Sequence, residues 1–305
     1  MLQRALVIGY GSIGARHARI LSELGCRTAV VSRRQIDFPA AYANLQEALD
    51  KEQPEYVIIA SETSRHHETL LTLAKHGYTE TVLVEKPLFG KSEAIPPLPF
   101  SQVFVAYNLR FHPLIRRLKS LLAGERIVSV QAYVGQYLPD WRPNSDYRTS
   151  YSASAEQGGG VLRDLSHELD YLAWLLGKWQ RVSALGGHLS DLEISSDDVY
   201  ALMWVTPSCP VVTLQLNYLD RTTHRNILIN TTEHTIEADI VKGTITIDKG
   251  CESITVGRDD TYRAMHDAIL SGGTNILCTM DEGLETLKLI EAAEQATCRG
   301  EWVKR

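Results

Sequence analysis

No stretch of the sequence approaches membrane-spanning length, and no excess of basic residues exists: 31 Lys and Arg stand against 37 Asp and Glu, for a formal net charge of −6. The first absence excludes a transmembrane helix, which needs ~20 apolar residues in a row. The second argues against a nucleic-acid partner. Cysteine is sparse. Cys26, Cys209, Cys251, Cys278 and Cys298 are scattered without C-x-x-C pairs or Cys/His clusters, which argues against a structural zinc and a disulfide framework; a metal site from Asp164, His167 and Asp170 is conceivable, but no further ligand set is visible. They read as reduced packing thiols. No basic segment, apolar signal core or small-residue cleavage site precedes the first strand, so a cytoplasmic protein is expected. Internal repeats, low-complexity tracts and blocks of like charge are also missing.

What is present is an ordinary globular composition, 44% hydrophobic and 22% charged, over 305 residues. Single cores stop growing near ~250 residues, so two domains are expected. The chain opens on an apolar run, Ala5-Leu6-Val7-Ile8, that stops in Gly9-Tyr10-Gly11-Ser12-Ile13-Gly14. A helical pattern through Ile20, Leu21 and Leu24 follows. In a strand–turn–helix, Gly9 turns the chain, Gly11 admits a pyrophosphate and Gly14 lets helix and strand approach. The exposed N–H groups of the helix start, at Ser12 and Ile13, suit the phosphates.

The second strand, Arg27–Val31, runs into Ser32-Arg33-Arg34. An acidic residue near this strand end bonds a ribose 2′-hydroxyl, whereas arginine accommodates a 2′-phosphate. NADP is therefore expected; Asp37, close by, leaves NAD open. Further strands are read at 56–60, 81–84 and 103–106, with helices near 44–49 and 65–76 between them. This alternation predicts a doubly wound parallel sheet of Rossmann type over residues 1–107. Ligands bind beyond the carboxyl ends of such strands, where Ser61, Thr63 and Glu85 fall. Lys86, before Pro87, is read either as a cation that bonds a substrate oxygen or as a surface lysine at an X-Pro turn.

Residues 108–305 read differently. A helix from Pro113 to about Leu122 leads to a strand over 126–138. The long segment 139–157 carries Trp141, Arg142, Tyr147, Arg148 and Tyr151, and loops of more than ~12–15 residues are uncommon unless functional. A substrate-contact role is expected for it. A single helix from Val161 to Leu176 then places Asp164 and His167, and less directly Asp170 and Tyr171, on one face. An imidazole beside a carboxylate is an acid–base unit, although a surface histidine with acidic neighbours has the same pattern. Seven short strands between Val182 and Val256 predict an antiparallel meander, and helices at 259–270 and 281–299 close an α+β domain with a large, mostly antiparallel sheet.

The glycine turn, Glu85-Lys86-Pro87 and Gly158-Gly159-Gly160 with Asp164 and His167 together resemble the glucose–fructose oxidoreductase, inositol dehydrogenase and MocA-like (Gfo/Idh/MocA) family. The resemblance runs the whole length, through Thr63 and His66, Asn108-Leu109-Arg110-Phe111-His112-Pro113 and Asp281-Glu282-Gly283-Leu284. It implies an NAD(P)-dependent oxidoreductase moving a hydride between the nicotinamide and a secondary alcohol or ketone carbon of a sugar, polyol or nucleotide sugar. Lys86 and His167 would be catalytic, with Asp164 or Asp170 orienting the imidazole. Asn108, Arg110 and His167 would meet substrate, and Arg163 would serve a diphosphate, the cofactor or the fold. The family's aspartate-to-histidine spacing of four is three here, while His167 keeps the usual ten residues to Gly177, so the departure lies upstream. A homodimer or homotetramer is implied. A cofactor-binding sensor without chemistry, or a lyase using a transient oxidation, shares the same motifs.

Overall fold

The computed structural model describes residues 3–142 and 145–305, and the chain forms two compact units. The first takes the chain up to Phe111 and then Gly257–Leu284; the second takes His112–Val256 and Glu285–Arg305. The expected division at 107/108 gave the return segment 257–284 to the second half.

In the first unit, β1 (Arg4–Ile8), α1 (Ser12–Glu23), β2 (Arg27–Val31), β3 (Ala41–Tyr42), α2 (Leu45–Glu52), β4 (Tyr56–Ile59), α3 (His66–Lys75), β5 (Thr81–Val84) and β6 (Gln102–Val105) follow one another as the pattern predicts, except that the short β3 was not expected. Asn44 caps α2, its side-chain oxygen accepting from the Glu47 N–H at 3.1 Å. Every residue of β4 is buried, as a central parallel strand requires. The helix α1 turns Gly14, His17, Ala18, Ile20 and Leu21 inward.

The second unit begins with α4 (Pro113–Leu121) and β7 (Ile127–Gly135). Segment 139–157 is built largely of short 3₁₀ turns at Leu138–Asp140, Tyr147–Thr149 and Tyr151–Ala153; Pro143 and Asn144 lie outside the described residues. Next come α5 (Val161–Asp164) and α6 (His167–Leu176), then β8 (Arg181–Gly187), β9 (Val199–Val205), β10 (Val211–Asn217), β11 (His224–Thr231), β12 (Thr235–Asp239), β13 (Thr244–Ile247) and β14 (Gly250–Ser253). The chain then supplies α7 (Asp260–Ser271) and β15 (Cys278–Thr279) to the first unit. Helix α8 (Met280–Arg299) and β16 (Val303–Lys304) end it.

The first sheet has the order β15-β6-β5-β4-β1-β2-β3, parallel except for β15. Its core joins Val7, Val30, Ile58, Leu83 and Phe104 to Leu21 and to Met265 and Leu277 of the return segment. The second sheet has the order β14-β13-β12-β11-β7-β10-β9-β8-β16. It is not a pure meander, because β7 and β10 run parallel at its centre. Period-two burial reports which face a strand shows and not which way it runs. The expected last strand, 253–256, is displaced to Gly250–Ser253.

The continuous helix expected over 161–176 is broken at Leu165-Ser166. Ser166 and Glu168 donate to carbonyls three residues back, at 3.4 Å each, so the backbone tightens there instead of continuing the α pattern.

Candidate functional site

In the first unit the glycine turn is dictated by contact. A Cβ on Gly14 would lie 2.0 Å from the Gly9 carbonyl oxygen, and one on Gly9 would lie 2.5 Å from the Ala60 oxygen. Gly9 also has φ of +100°, which other residues rarely adopt. Around the Cβ position of Gly11, by contrast, no other atom comes within 4 Å. The α1 N-terminus has no side-chain cap, so its N–H groups at Ser12 and Ile13 are offered outward.

Strand order puts β4 between β1 and β5. The turn after β1, Ser61 after β4 and Glu85-Lys86 after β5 therefore share one sheet edge. Ser61 Oγ is buried without a hydrogen-bond partner among the described residues. Arg33 and Arg34 are exposed at the end of β2; Arg33 reaches Glu62 at 3.3 Å and Arg34 reaches the Tyr10 carbonyl at 3.3 Å. Ser32 Oγ is turned onto Arg34, donating to its carbonyl at 3.0 Å. Thr63 is half-buried at the start of a 3₁₀ turn. A glycine turn with outward N–H groups, an orphan hydroxyl and two exposed guanidinium groups fit a dinucleotide.

Three expected contacts of this unit are committed internally. His66 is buried, with Nδ1 3.2 and 3.1 Å from the Pro87 and Leu88 carbonyls and Nε2 3.1 Å from that of Ser61. Burial pushes this imidazole down, against the pull of those carbonyls. It therefore ties the Glu85-Lys86-Pro87 turn to the end of β4. Arg110, expected at substrate, is 2% exposed and pairs with Glu282 at 3.0 Å. Asn108 donates to Thr261 Oγ1 at 2.6 Å.

In the second unit, His167 is the first residue of α6, and between Gly159 and Leu172 it alone is not buried. Asp164 is 5% exposed, and its Oδ2 accepts from the Tyr218 hydroxyl at 2.6 Å. Burial and this carboxylate push the Tyr218 phenol well up, so it remains a donor. The Trp141 ring meets Tyr218 edge-on at 5.2 Å, and its buried Nε1 has no partner among the described residues. Arg142 lies over the Tyr151 ring at 5.8 Å. Two residues expected at substrate are ion-paired within this unit. Arg163 is paired with Glu294, and Arg148 with Asp146 at 2.8 Å and Glu193 at 3.0 Å. Both guanidinium groups serve the fold in this arrangement.

Residues 3–96 match the oxidoreductase family with an NAD-binding Rossmann fold, and residues 115–245 match the GFO/IDH/MocA C-terminal domain. The chain belongs to the Gfo/Idh/MocA family. Solved structures of similar fold include levoglucosan dehydrogenase in complex with NADH, at 18% identity and TM-score 0.83, covering 100% of this chain and 99% of that one. The WlbA dehydrogenase from Bordetella pertussis, in complex with NADH and UDP-GlcNAcA, has 18% identity, TM-score 0.79 and the same coverage. GenD2 from gentamicin A biosynthesis, in complex with NAD, has 20% identity and TM-score 0.79, covering 100% and 96%. No curated protein matches the sequence significantly.

Within this Gfo/Idh/MocA chain, sequence reasoning missed Tyr218, His17 and His266. Tyr218 follows β10, 54 residues beyond Asp164, so nothing local announces their bond. His17 did carry a signal: it lies on the apolar face of α1, where a buried imidazole needs partners.

Proposed function

We propose that this chain is an NAD(P)-dependent dehydrogenase or reductase acting on a CH–OH carbon of a sugar, polyol or nucleotide sugar, with NADP preferred. The observation that carries the reading is the single sheet edge holding the Gly9–Gly14 turn, the orphan Ser61 hydroxyl and Glu85-Lys86. Gly9, Gly11, Ser12, Ile13 and Gly14 hold the pyrophosphate, and Ser32, Arg33 and Arg34 meet the 2′-phosphate. The bound nicotinamide supplies the hydride acceptor or donor. In the oxidation direction Lys86 bonds the substrate hydroxyl oxygen and limits its negative charge, and His167 takes the proton. Asp164, held by Tyr218, and the Trp141 N–H are further polar groups for a substrate rich in hydroxyls. The sugar dehydrogenases among the similar folds support that substrate class.

The test is turnover of NADP⁺ and NAD⁺ against a panel of sugars, polyols and nucleotide sugars, followed by the near-ultraviolet absorbance of the reduced nicotinamide. His167→Asn and Lys86→Met are each expected to lower turnover by ~10²–10⁴ while leaving cofactor affinity within about threefold. Wild-type turnover in the Asn variant would remove His167 from the reaction.

A further inference from the structure

Four buried side chains from four elements of the first unit stand in one line. Glu85 Oε1 is 2.8 Å from His17 Nε2, His17 Nδ1 is 2.8 Å from His266 Nε2, and His266 Nδ1 is 3.0 Å from the Tyr56 hydroxyl. None is more than 6% exposed. Glu85 follows β5, His17 lies on α1, His266 on α7 and Tyr56 opens β4.

Proton counting restricts this line. A neutral imidazole has one N–H, so two rings in series keep all three hydrogen bonds only if every proton points the same way. Burial and the neighbouring His17 push His266 well below the usual imidazole range, which keeps that ring neutral. The other Glu85 oxygen, Oε2, accepts the backbone N–H of Lys86 at 3.1 Å, so with Glu85 as a carboxylate both of its oxygens act as acceptors. The consistent state therefore runs from the Tyr56 hydroxyl to His266, from His266 to His17 and from His17 to the Glu85 carboxylate. Both rings are then Nε2–H tautomers. Other titratable groups facing the line are Tyr262, edge-on to His17 at 5.6 Å, and Arg16 over the Tyr262 ring at 5.2 Å. Cys26 and Tyr78 act on Tyr56.

We propose that His17 and His266 are positioning residues for Lys86: their one-way line of hydrogen bonds holds the Glu85 carboxylate in one orientation, and that carboxylate holds the Lys86 backbone amide. The proposal rests on the reading of Lys86 as the group that bonds the substrate oxygen. It gives the return segment 257–284, through His266, control over a strand-end lysine that precedes it by 180 residues.

Two measurements test it on the full chain. With ¹⁵N-histidine labelling, long-range ¹⁵N–¹H spectra separate the two neutral tautomers and the imidazolium. The signals lost in His17→Gln and in His266→Gln are expected to be neutral Nε2–H rings at neutral pH; an imidazolium or an Nδ1–H ring at either position overturns the line. In kinetics, the side-chain amide introduced by His266→Gln can still donate to His17, whereas the leucine of His266→Leu only packs. His266→Gln is therefore expected to stay within about threefold of wild-type kcat and His266→Leu to lose about tenfold or more, with cofactor Kd little changed. A packing role gives the opposite order. Wild-type kcat in both His266 variants, beside a loss in Lys86→Met, overturns the positioning role alone; wild-type kcat in Lys86→Met overturns the site reading and this proposal with it.

Discussion

Arg33 shows how a single residue can be legible in type and hidden in circumstance. Its place after β2 is read from spacing, but its ion pair with Glu62 is seen only in the fold. Both partners are largely exposed, at 70% and 62%, and such pairs are worth ~0–1 kcal/mol, so a 2′-phosphate would displace the carboxylate at little cost. NADPH is therefore expected to bind about tenfold or more tightly than NADH, and Arg33→Asp to cancel or reverse the difference. Fluorescence titration of both nucleotides checks this, and equal affinities in the unmodified protein refute it. Arg110, Arg148 and Arg163, expected at substrate, are held in ion pairs that only the fold shows. Glu282 and Glu294, the partners of Arg110 and Arg163, lie 172 and 131 residues away, where no local pattern announces them, whereas Arg148 has Asp146 two residues away as well as Glu193 at 45.

At the scale of elements, the break between α5 and α6 is the main departure from the helical pattern. Asp197 anchors the start of α5, its Oδ2 accepting from the Leu162 N–H at 3.0 Å. Burial pushes this carboxyl up from an ordinary 3.8 to about 6. A folded-state value above the unfolded one means that the native protein holds the proton more tightly. The stability it contributes is full below the ordinary value and is lost as the pH rises through about 6. Asp197→Asn keeps an oxygen for Leu162 and cannot ionise. The variant is expected to gain stability on the parent protein across this window, by up to ~3 kcal/mol before solvent screening. Thermal midpoints of both proteins on either side of the window measure it; a difference independent of pH would reject the assignment.

For the whole molecule, the nine-stranded sheet leaves one face open. Leu185, Met203 and Val211 are exposed at 74%, 42% and 44%, on the side opposite the buried Val182, Leu202, Trp204 and Val212. A cluster of this kind on a sheet face marks an association surface. We propose self-association through it, giving a dimer or tetramer. Light scattering at micromolar concentration is expected to report an oligomer, and Leu185→Glu with Met203→Glu to yield a folded monomer. A monomeric parent protein would refute the proposal.

Local pattern alone determined the Rossmann unit, because each of its devices is short-range. The buried runs of β1, β2, β4 and β5, the close approach of Gly14 to the Gly9 carbonyl and the cap at Asn44 all act within a few residues. Tertiary structure decided the rest. It set the direction of β10 beside β7, which alternation cannot encode, and the return of 257–284 to the first unit. It also broke the helix at Leu165-Ser166 and tied Asp164 to Tyr218 and His17 to Glu85 and His266. These choices depend on which buried polar group finds a partner far along the chain, and only the folded molecule brings such groups within hydrogen-bonding distance.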